Sequence, residues 1–455
     1  MTLAGRIGLS RWALWFGGLS FFACYLGQSV LGVIQPTVVS DLGLTESEGQ
    51  WVVNAFFLAM ALFAAPGGRL GDFYGHRDVL VVALLIFAFG SALAAALQGF
   101  AGLIVGLAIA GTGAATLYPS SAAMVANRVT VEHRGRAIGL YAAIGASVFV
   151  LGPLLAGVFV EALDWRAVFA FQAVAGAALA ALGWLRVDNR PAAEPQAFDW
   201  TGLGVLMVGL TAALVALMQA LVWGWDAAPT VILFVVGIGI LALFAAIELR
   251  SAHPLLEVGL LRRRAMVGIV LAMFAAQFIL NGFLVYAATY FQHVLGYGAL
   301  LAAVAMVPAF LLNPFMGIVV GRLTDRVGAR APAIAGYLLA FASFAWIAIF
   351  ADDGRYWPLL PGLVALGISI APMFTSLLTG LSNEVDASQR GDANALVLTV
   401  RWIGAAAGTM VLGVVVYAEA GVEPGASAYG AAFAVAAGMA LAGALACFLL
   451  PRDRG

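Results

Sequence analysis

Gly68-Arg69-Leu70-Gly71-Asp72-Phe73-Tyr74-Gly75-His76-Arg77 and Gly321-Arg322-Leu323-Thr324-Asp325-Arg326-Val327-Gly328-Ala329-Arg330 carry Gly, Arg, Leu, Asp, Gly and Arg at the same six places, 253 residues apart. Each stretch lies between apolar runs long enough to cross a bilayer. A charged, glycine-bearing segment repeated at that distance marks an internal duplication. In membrane chains, duplications of this kind build two halves that move against each other.

The rest of the chain supports a lipid solvent. Of its 455 residues, 63% are hydrophobic and 10% charged, and the mean hydropathy is +1.02. Soluble domains carry about 25% charge, so this much apolar surface exceeds what a water-soluble core can hide. A helix needs about 20 apolar residues to cross the hydrocarbon. That rule gives fourteen spans, near residues 13–38, 50–67, 79–98, 101–126, 136–160, 167–186, 201–222, 229–248, 267–291, 299–320, 332–350, 357–380, 394–417 and 428–450. Arg6 and Arg11 precede the first run with no small-residue cleavage site after it, so it reads as an uncleaved span.

Orientation follows the positive residues, all of which are arginine. Nineteen fall on the termini and one set of connections. Only Arg166 and Arg355 fall on the opposite set, and Arg401 lies inside a span. Both termini are therefore expected in the cytoplasm, and an even number of spans agrees by putting them on one side. Two spans precede the first decad and ten precede the second. The offset of eight is a six-helix half plus two helices. The expected domains are a six-helix bundle over 1–190, a linker with two extra helices over 191–260, and a second six-helix bundle over 261–455.

Several chemistries are excluded or unsupported. Cys24 and Cys447 lie at opposite ends of the chain, and His76, His133, His253 and His293 show no ligand spacing. No dinucleotide fingerprint, P-loop or nucleophile elbow is present, so no enzyme and no cofactor is expected. A net charge of −1 gives no footprint for nucleic acid.

These residues resemble the major facilitator superfamily and, within it, the fourteen-span drug:proton antiporter family. The doubled decad is similar to that superfamily's loop signature. Gly152-Pro153-Leu154-Leu155-Ala156-Gly157 is similar to the antiporter motif GPxxGG, with alanine for one glycine. Asp164-Trp165-Arg166, Asp199-Trp200-Thr201-Gly202, Trp223-Gly224-Trp225 and Arg401 ahead of Gly404 also fit the family pattern. Two places depart from it. Gly27 stands where the family has an aspartate before Pro36. Leu107 and Ala110 stand where it has arginine and glutamine ahead of Gly111-Thr112-Gly113-Ala114-Ala115. No carboxylate lies deep in a span; Glu161 and Glu248 sit at span ends.

The resemblance implies an all-α integral membrane protein of the major facilitator fold, working by alternating access. It is expected to export hydrophobic or amphipathic small molecules from a bacterial plasma membrane, as a monomer in the lipid bilayer. Its partners would be a small-molecule substrate and protons. The alternatives are an uncoupled facilitator or importer of a neutral or anionic metabolite, and a non-transporting membrane sensor.

Gating candidates are Gly68, Asp72, Gly75, Arg77, Asp325 and Arg330 in the decads. The glycines, with Gly71, are expected to turn the backbone between spans. Asp72 is expected to cap a helix or pair with an arginine of the other bundle; a plain positive-inside loop is the alternative. Gly152 and Pro153 are expected to kink the fifth span. Tyr25, Gln28 and Gln35 fall on one face of the first span, and Gln277, Asn281 and Tyr286 on one face of the ninth, as substrate-cavity candidates. Asn54 and Arg401 join them, with Tyr118, Gln172, Asn313 and Ser376 as further polar positions. Arg401 must face a cavity, find a partner or snorkel to the surface, since a guanidinium at mid-membrane costs about 2.5–3.5 kcal/mol on insertion scales.

Overall fold

The computed structural model describes residues 11–129, 131–188, 199–251, 254–386, 389–417 and 424–451. Among them every long element is a helix, and no strand occurs. Thirteen helices are long and apolar enough to cross a membrane, and a bent pair at the start of the chain makes up to fourteen. The chain falls into two compact units, Met1–Asp199 and Trp200–Gly455.

The first unit holds α1 (Arg11–Ser29), α2 (Leu31–Leu42), α3 (Glu46–Tyr74), α4 (His76–Ala96), α5 (Phe100–Ala126), α6 (Val131–Ala146), α7 (Val148–Ala162) and α8 (Trp165–Arg186). Its centre is α5, packed against α1, α3 and α4, while α4 also packs on α8. Small residues bring α4 and α5 together: a Cβ at Gly106 would stand 2.6 Å from the Ala94 nitrogen. A capping box starts α3, with Thr45 N donating to Glu48 Oε2 at 2.9 Å and Glu48 N donating to Thr45 Oγ1 at 3.3 Å. Asp41 Oδ2, at the end of α2, accepts from Trp165 Nε1 at 2.9 Å and from Arg166 Nη1 at 3.1 Å. The Asp164-Trp165-Arg166 stretch thus ties the start of α8 to α2.

The second unit holds α9 (Trp200–Trp223), α10 (Ala228–Glu248), α11 (Arg264–His293), α12 (Ala299–Met306), α13 (Pro308–Leu311), α14 (Asn313–Val327), α15 (Arg330–Phe350), α16 (Leu360–Glu384), α17 (Arg390–Val416) and α18 (Ala426–Cys447). Here α11 is central, against α16, α17 and α18, and α15 bridges α16 and α18. The two extra spans form a hairpin, α9 on α10, and α9 also touches α17.

Three spans expected as single runs are broken. The first bends by 41° between α1 and α2. At Val30 the helical bond to Leu26 O lengthens to 3.4 Å, and Val33 N turns to Val30 O at 3.1 Å. The fifth is interrupted at Ser147, between α6 and α7. The tenth becomes three pieces at Val307 and Leu312, ahead of Pro308 and Pro314, whose rings cannot continue a helical ladder.

The decads also differ from expectation. They are not loops: α3 runs through Tyr74 and α14 through Val327. Gly68 and Gly71 are helical, and nothing before Gly75 stops α3. The turn rests on Gly75 (φ 90°) and, in the second copy, Gly328 (φ 81°). These are the same place in the repeat, and positive φ there suits glycine alone.

Candidate functional site

The signature arginines come first, because the duplication places them. Arg77 opens α4 and reaches the end of α8. Its Nη2 donates to Trp184 O at 2.6 Å, and its Nε donates to Val187 O at 3.2 Å and Gly183 O at 3.4 Å. The last carbonyls of a helix lack helical partners and form its negative end, so a guanidinium fits there twice over. The same group lies 4.3 Å from the centre of the Trp184 ring and pairs with Asp78. Arg330, the matching residue, lies 5.2 Å from the Phe448 ring, just past the end of α18. Each signature arginine therefore seats on an aromatic ring at the end of the last helix of its own unit. Trp184 and Phe448 are the partners that the sequence did not single out.

The other decad residues are less engaged. The side chain of Asp72 lies outside the described ones. Asp325 is exposed, with no hydrogen bond or ion pair to a described residue of its own unit. Gly68 faces Pro119 of α5 at ordinary contact distance.

Gly152 and Pro153 meet the bend of the first span. A Cβ on Gly152 would overlap Ser29 Oγ, the last side chain of α1, so a larger residue there would have to displace that hydroxyl where α7 lies against the bend. Ser147, where the fifth span breaks, donates to Ile144 O at 2.6 Å. Gly27, the place of the family's aspartate, is closed by rings: a Cβ there would stand 2.5 Å from Phe56 Cζ and 3.1 Å from Phe87 Cε2. The missing carboxylate has no room to be added.

The polar stripe of the first span is divided by the bend. Tyr25 and Gln28 stay on α1, whereas Gln35 rides on α2 and lies against Gly49 at the start of α3. Tyr25 joins an aromatic cluster with Phe21 at 5.1 Å, Phe149 at 5.1 Å and Tyr118 at 6.1 Å between ring centres. Tyr141 completes it, stacked on Phe21 at 5.2 Å with its hydroxyl 2.9 Å from Ser121 Oγ. Phe21, Tyr141 and Phe149 had no signal in a chain with 29 Phe. Gln28 is wholly buried, and neither amide atom has a hydrogen-bond partner among the described residues. Asn54 is buried on α3.

The second unit gathers the ninth-span candidates around Arg401. Cβ atoms on Gly404 and Gly408 would run into the backbone carbonyls of Phe274 and Phe278, so α17 lies backbone to backbone on α11. That contact places Arg401 opposite Gln277. Arg401 Nη2 and Nε both donate to Gln277 Oε1, at 3.1 and 3.3 Å, and the guanidinium lies 4.9 Å from the Phe374 ring of α16. Arg401 is 6% exposed, so it turns inward and does not snorkel. One turn on, Asn281 Nδ2 donates to Gln277 O at 3.1 Å, and Tyr286 OH donates to Thr409 O at 2.8 Å.

Three further positions serve other roles or none seen. Gln172 accepts from Ser91 Oγ at 3.5 Å, between α8 and α4. Ser376 and Thr324 share a hydrogen bond at 3.1 Å, between α16 and α14. Asn313 begins α14. Glu248, at the end of α10, is buried and accepts from Leu256 N at 3.3 Å.

Comparison with known proteins agrees with this architecture. The sequence profile of the Major Facilitator Superfamily matches residues 17–409. A multidrug resistance protein of Mycobacterium tuberculosis is 28% identical over 411 residues, covering 90% of this chain and 76% of its own. A cephamycin export protein of Amycolatopsis lactamdurans is 31% identical over 439 residues, covering 94% of this chain and 90% of its own. The crystal structure of a nucleoside transporter superposes with a TM-score of 0.67 at 16% identity, covering 97% of this chain and all of that one, a likeness of fold. The protein is thus a multi-pass membrane transporter and not an enzyme: the chain belongs to the major facilitator superfamily, and its spans fit the fourteen-span drug:proton antiporter family.

Proposed function

We propose that the chain exports hydrophobic or amphipathic small molecules by alternating access. The matched seating of Arg77 on Trp184 and α8, and of Arg330 on Phe448 beside α18, carries this reading. Each arginine stiffens the last turns of its own bundle, as two bodies that rock against each other require. The export and resistance names of the relatives support an outward direction and an amphipathic small-molecule substrate.

In this reading the bundles are 1–190 and 261–455, the 191–260 segment carries the two extra helices, and the protein sits as a monomer in a bacterial plasma membrane with both termini cytoplasmic. The decads and Gly152-Pro153 serve the conformational change. Tyr25, Gln28, Gln35, Asn54, Gln277, Asn281, Tyr286 and Arg401 serve the substrate. Arg401 and the closed site at Gly27 favour a second reading, an uncoupled facilitator of a neutral or anionic compound. Proton carriage needs a group that titrates in the membrane, and a guanidinium does not.

Everted vesicles carrying the protein separate the readings, with carboxyfluorescein and rhodamine 6G as xanthene dyes of opposite charge. Export predicts protein-dependent accumulation of at least one dye against its gradient when a pH gradient is imposed. Equilibration and counterflow unaffected by that gradient would replace it with the facilitator. No protein-dependent movement of either dye, or of a wider amphipathic panel, would overturn both.

A further inference from the structure

We infer that the cleft between α3 and α4 binds a neutral, mostly apolar small molecule carrying one hydroxyl or carbonyl group, admitted from the lipid side of the first unit. This goes beyond the export reading: it rests on the membrane-spanning fold and needs no transport for the site to be occupied.

The cleft follows from how three helices pack. α3 and α4 join at the Gly75 turn, and each lies along α5 while touching the other little. The space between them is a cavity of about 560 Å³, walled by Phe63 and Leu70 of α3 and by Val82 and Ile86 of α4. Its floor is α5, where the helices close: a Cβ on Gly67 would stand 2.5 Å from Thr116 Oγ1, and one on Gly113 would stand 2.5 Å from Ala83 O. Along α4 the cavity runs from Asp78 to Ile86, about 12 Å at the helical rise. Cavities that hold drug-sized ligands measure about 300–1,000 Å³, so the space is of the right order. Val82, with Leu85 and Phe89, belongs to an exposed apolar row of α4. On a membrane-spanning helix such a row meets lipid, which makes the bilayer the route of entry.

The polar groups set the chemistry. Thr116 borders the cavity at 8% exposure, and its hydroxyl makes no hydrogen bond to a described residue. Thr112, one turn away, donates to Ala108 O at 3.0 Å, so its oxygen is left to accept. A ligand hydroxyl can donate to Thr112 and accept from Thr116, and a carbonyl can accept from Thr116. Asp78 stands at the mouth, where Arg77 pairs with it. Among the described residues no charged side chain lines the deeper walls. An ion would lose its hydration there without a counter-charge, whereas a hydrogen-bonded hydroxyl would not.

Full-length protein in lipid nanodiscs is photolabelled with trifluoromethyl-diazirinyl benzyl alcohol, a neutral photoreactive alcohol, and the adducts are mapped by mass spectrometry. Labelling should saturate and concentrate in residues 63–74 and 78–86. 1-Naphthol should compete at least about tenfold better than the anion 1-naphthoate. Val82→Trp sets a ring across the mouth and should cut this labelling about tenfold. Leu85→Trp, on the same exposed row but outside the cavity, should leave it intact. Thr116→Val keeps the shape, removes the hydroxyl and should weaken competition by naphthol about threefold or more. Unsaturable labelling spread evenly over the lipid-facing helices would overturn the site, and so would unchanged labelling of Val82→Trp. A lipid retained by wild type and lost from Val82→Trp, with no competition by naphthol, would assign the cavity to an acyl chain and overturn it too. Dye export in the vesicle assay beside any of these results would leave the exporter standing while the site fell.

Discussion

Arg77 spends its guanidinium on three main-chain carbonyls at the end of α8, on Asp78 and on the face of Trp184. Hydrogen bonds to charged groups contribute about 1.5–3 kcal/mol, so Arg77→Ala should destabilise the protein by about 2 kcal/mol or more. Arg77→Lys should recover only part of this, because an ammonium keeps the charge at the helix end and loses the fork. Melting in detergent measures both, and equal midpoints for wild type and Arg77→Ala would remove the brace. The sequence marks Arg77 and Arg330 by repetition but says nothing of Trp184 or Phe448. In a chain with 11 Trp and 29 Phe, one ring at a helix end carries no periodic or motif signal. Arg401 is the opposite case. Its cost in lipid predicts a partner, and the shared helical face of α11 already carries Gln277.

Helix positions follow from apolar length, yet helix breaks do not. A bend changes hydrogen bonding without requiring a change of composition, so neither Val30 nor Ser147 announces the break there. Pro36 is visible in the first span, but the bend lies several residues before it, where Gly152 of α7 presses on Ser29. This is why Tyr25, Gln28 and Gln35 look like one stripe on a straight helix and are divided in the fold. Gly152→Ala should slow dye transport severalfold, because its methyl group needs the space of the Ser29 hydroxyl. Ser29→Ala in the same chain should restore part of the rate, since it removes Oγ and leaves a contact of 3.1 Å to Cβ. A Gly152→Ala protein that transports as wild type, or a double variant slower than the single one, would show that the packing at the bend is not limiting.

Each of the two units contains a decad that turns at a glycine of positive φ and whose arginine is seated on a ring at the end of the last helix. A duplication conserved in this physical sense is what the spacing of 253 residues announced. The spans were equally legible, since lipid imposes length and composition on any helix that crosses it. What drives the cycle was not legible, because it depends on which buried groups face one another. The central claim is that the bundles move as braced bodies. Cys24 and Cys447 are both buried, and replacing them with alanine clears the background for spin labels. Tyr74→Cys with Leu97→Cys spans one bundle, and Tyr74→Cys with Val327→Cys spans the two; all three sites are exposed. Pulsed electron–electron resonance should give a single distance within the bundle that does not change with pH or added substrate. The pair between bundles should give two populations whose ratio shifts under the same changes. A shifting distance within the bundle, beside a single fixed distance between bundles, would contradict rocking by rigid halves.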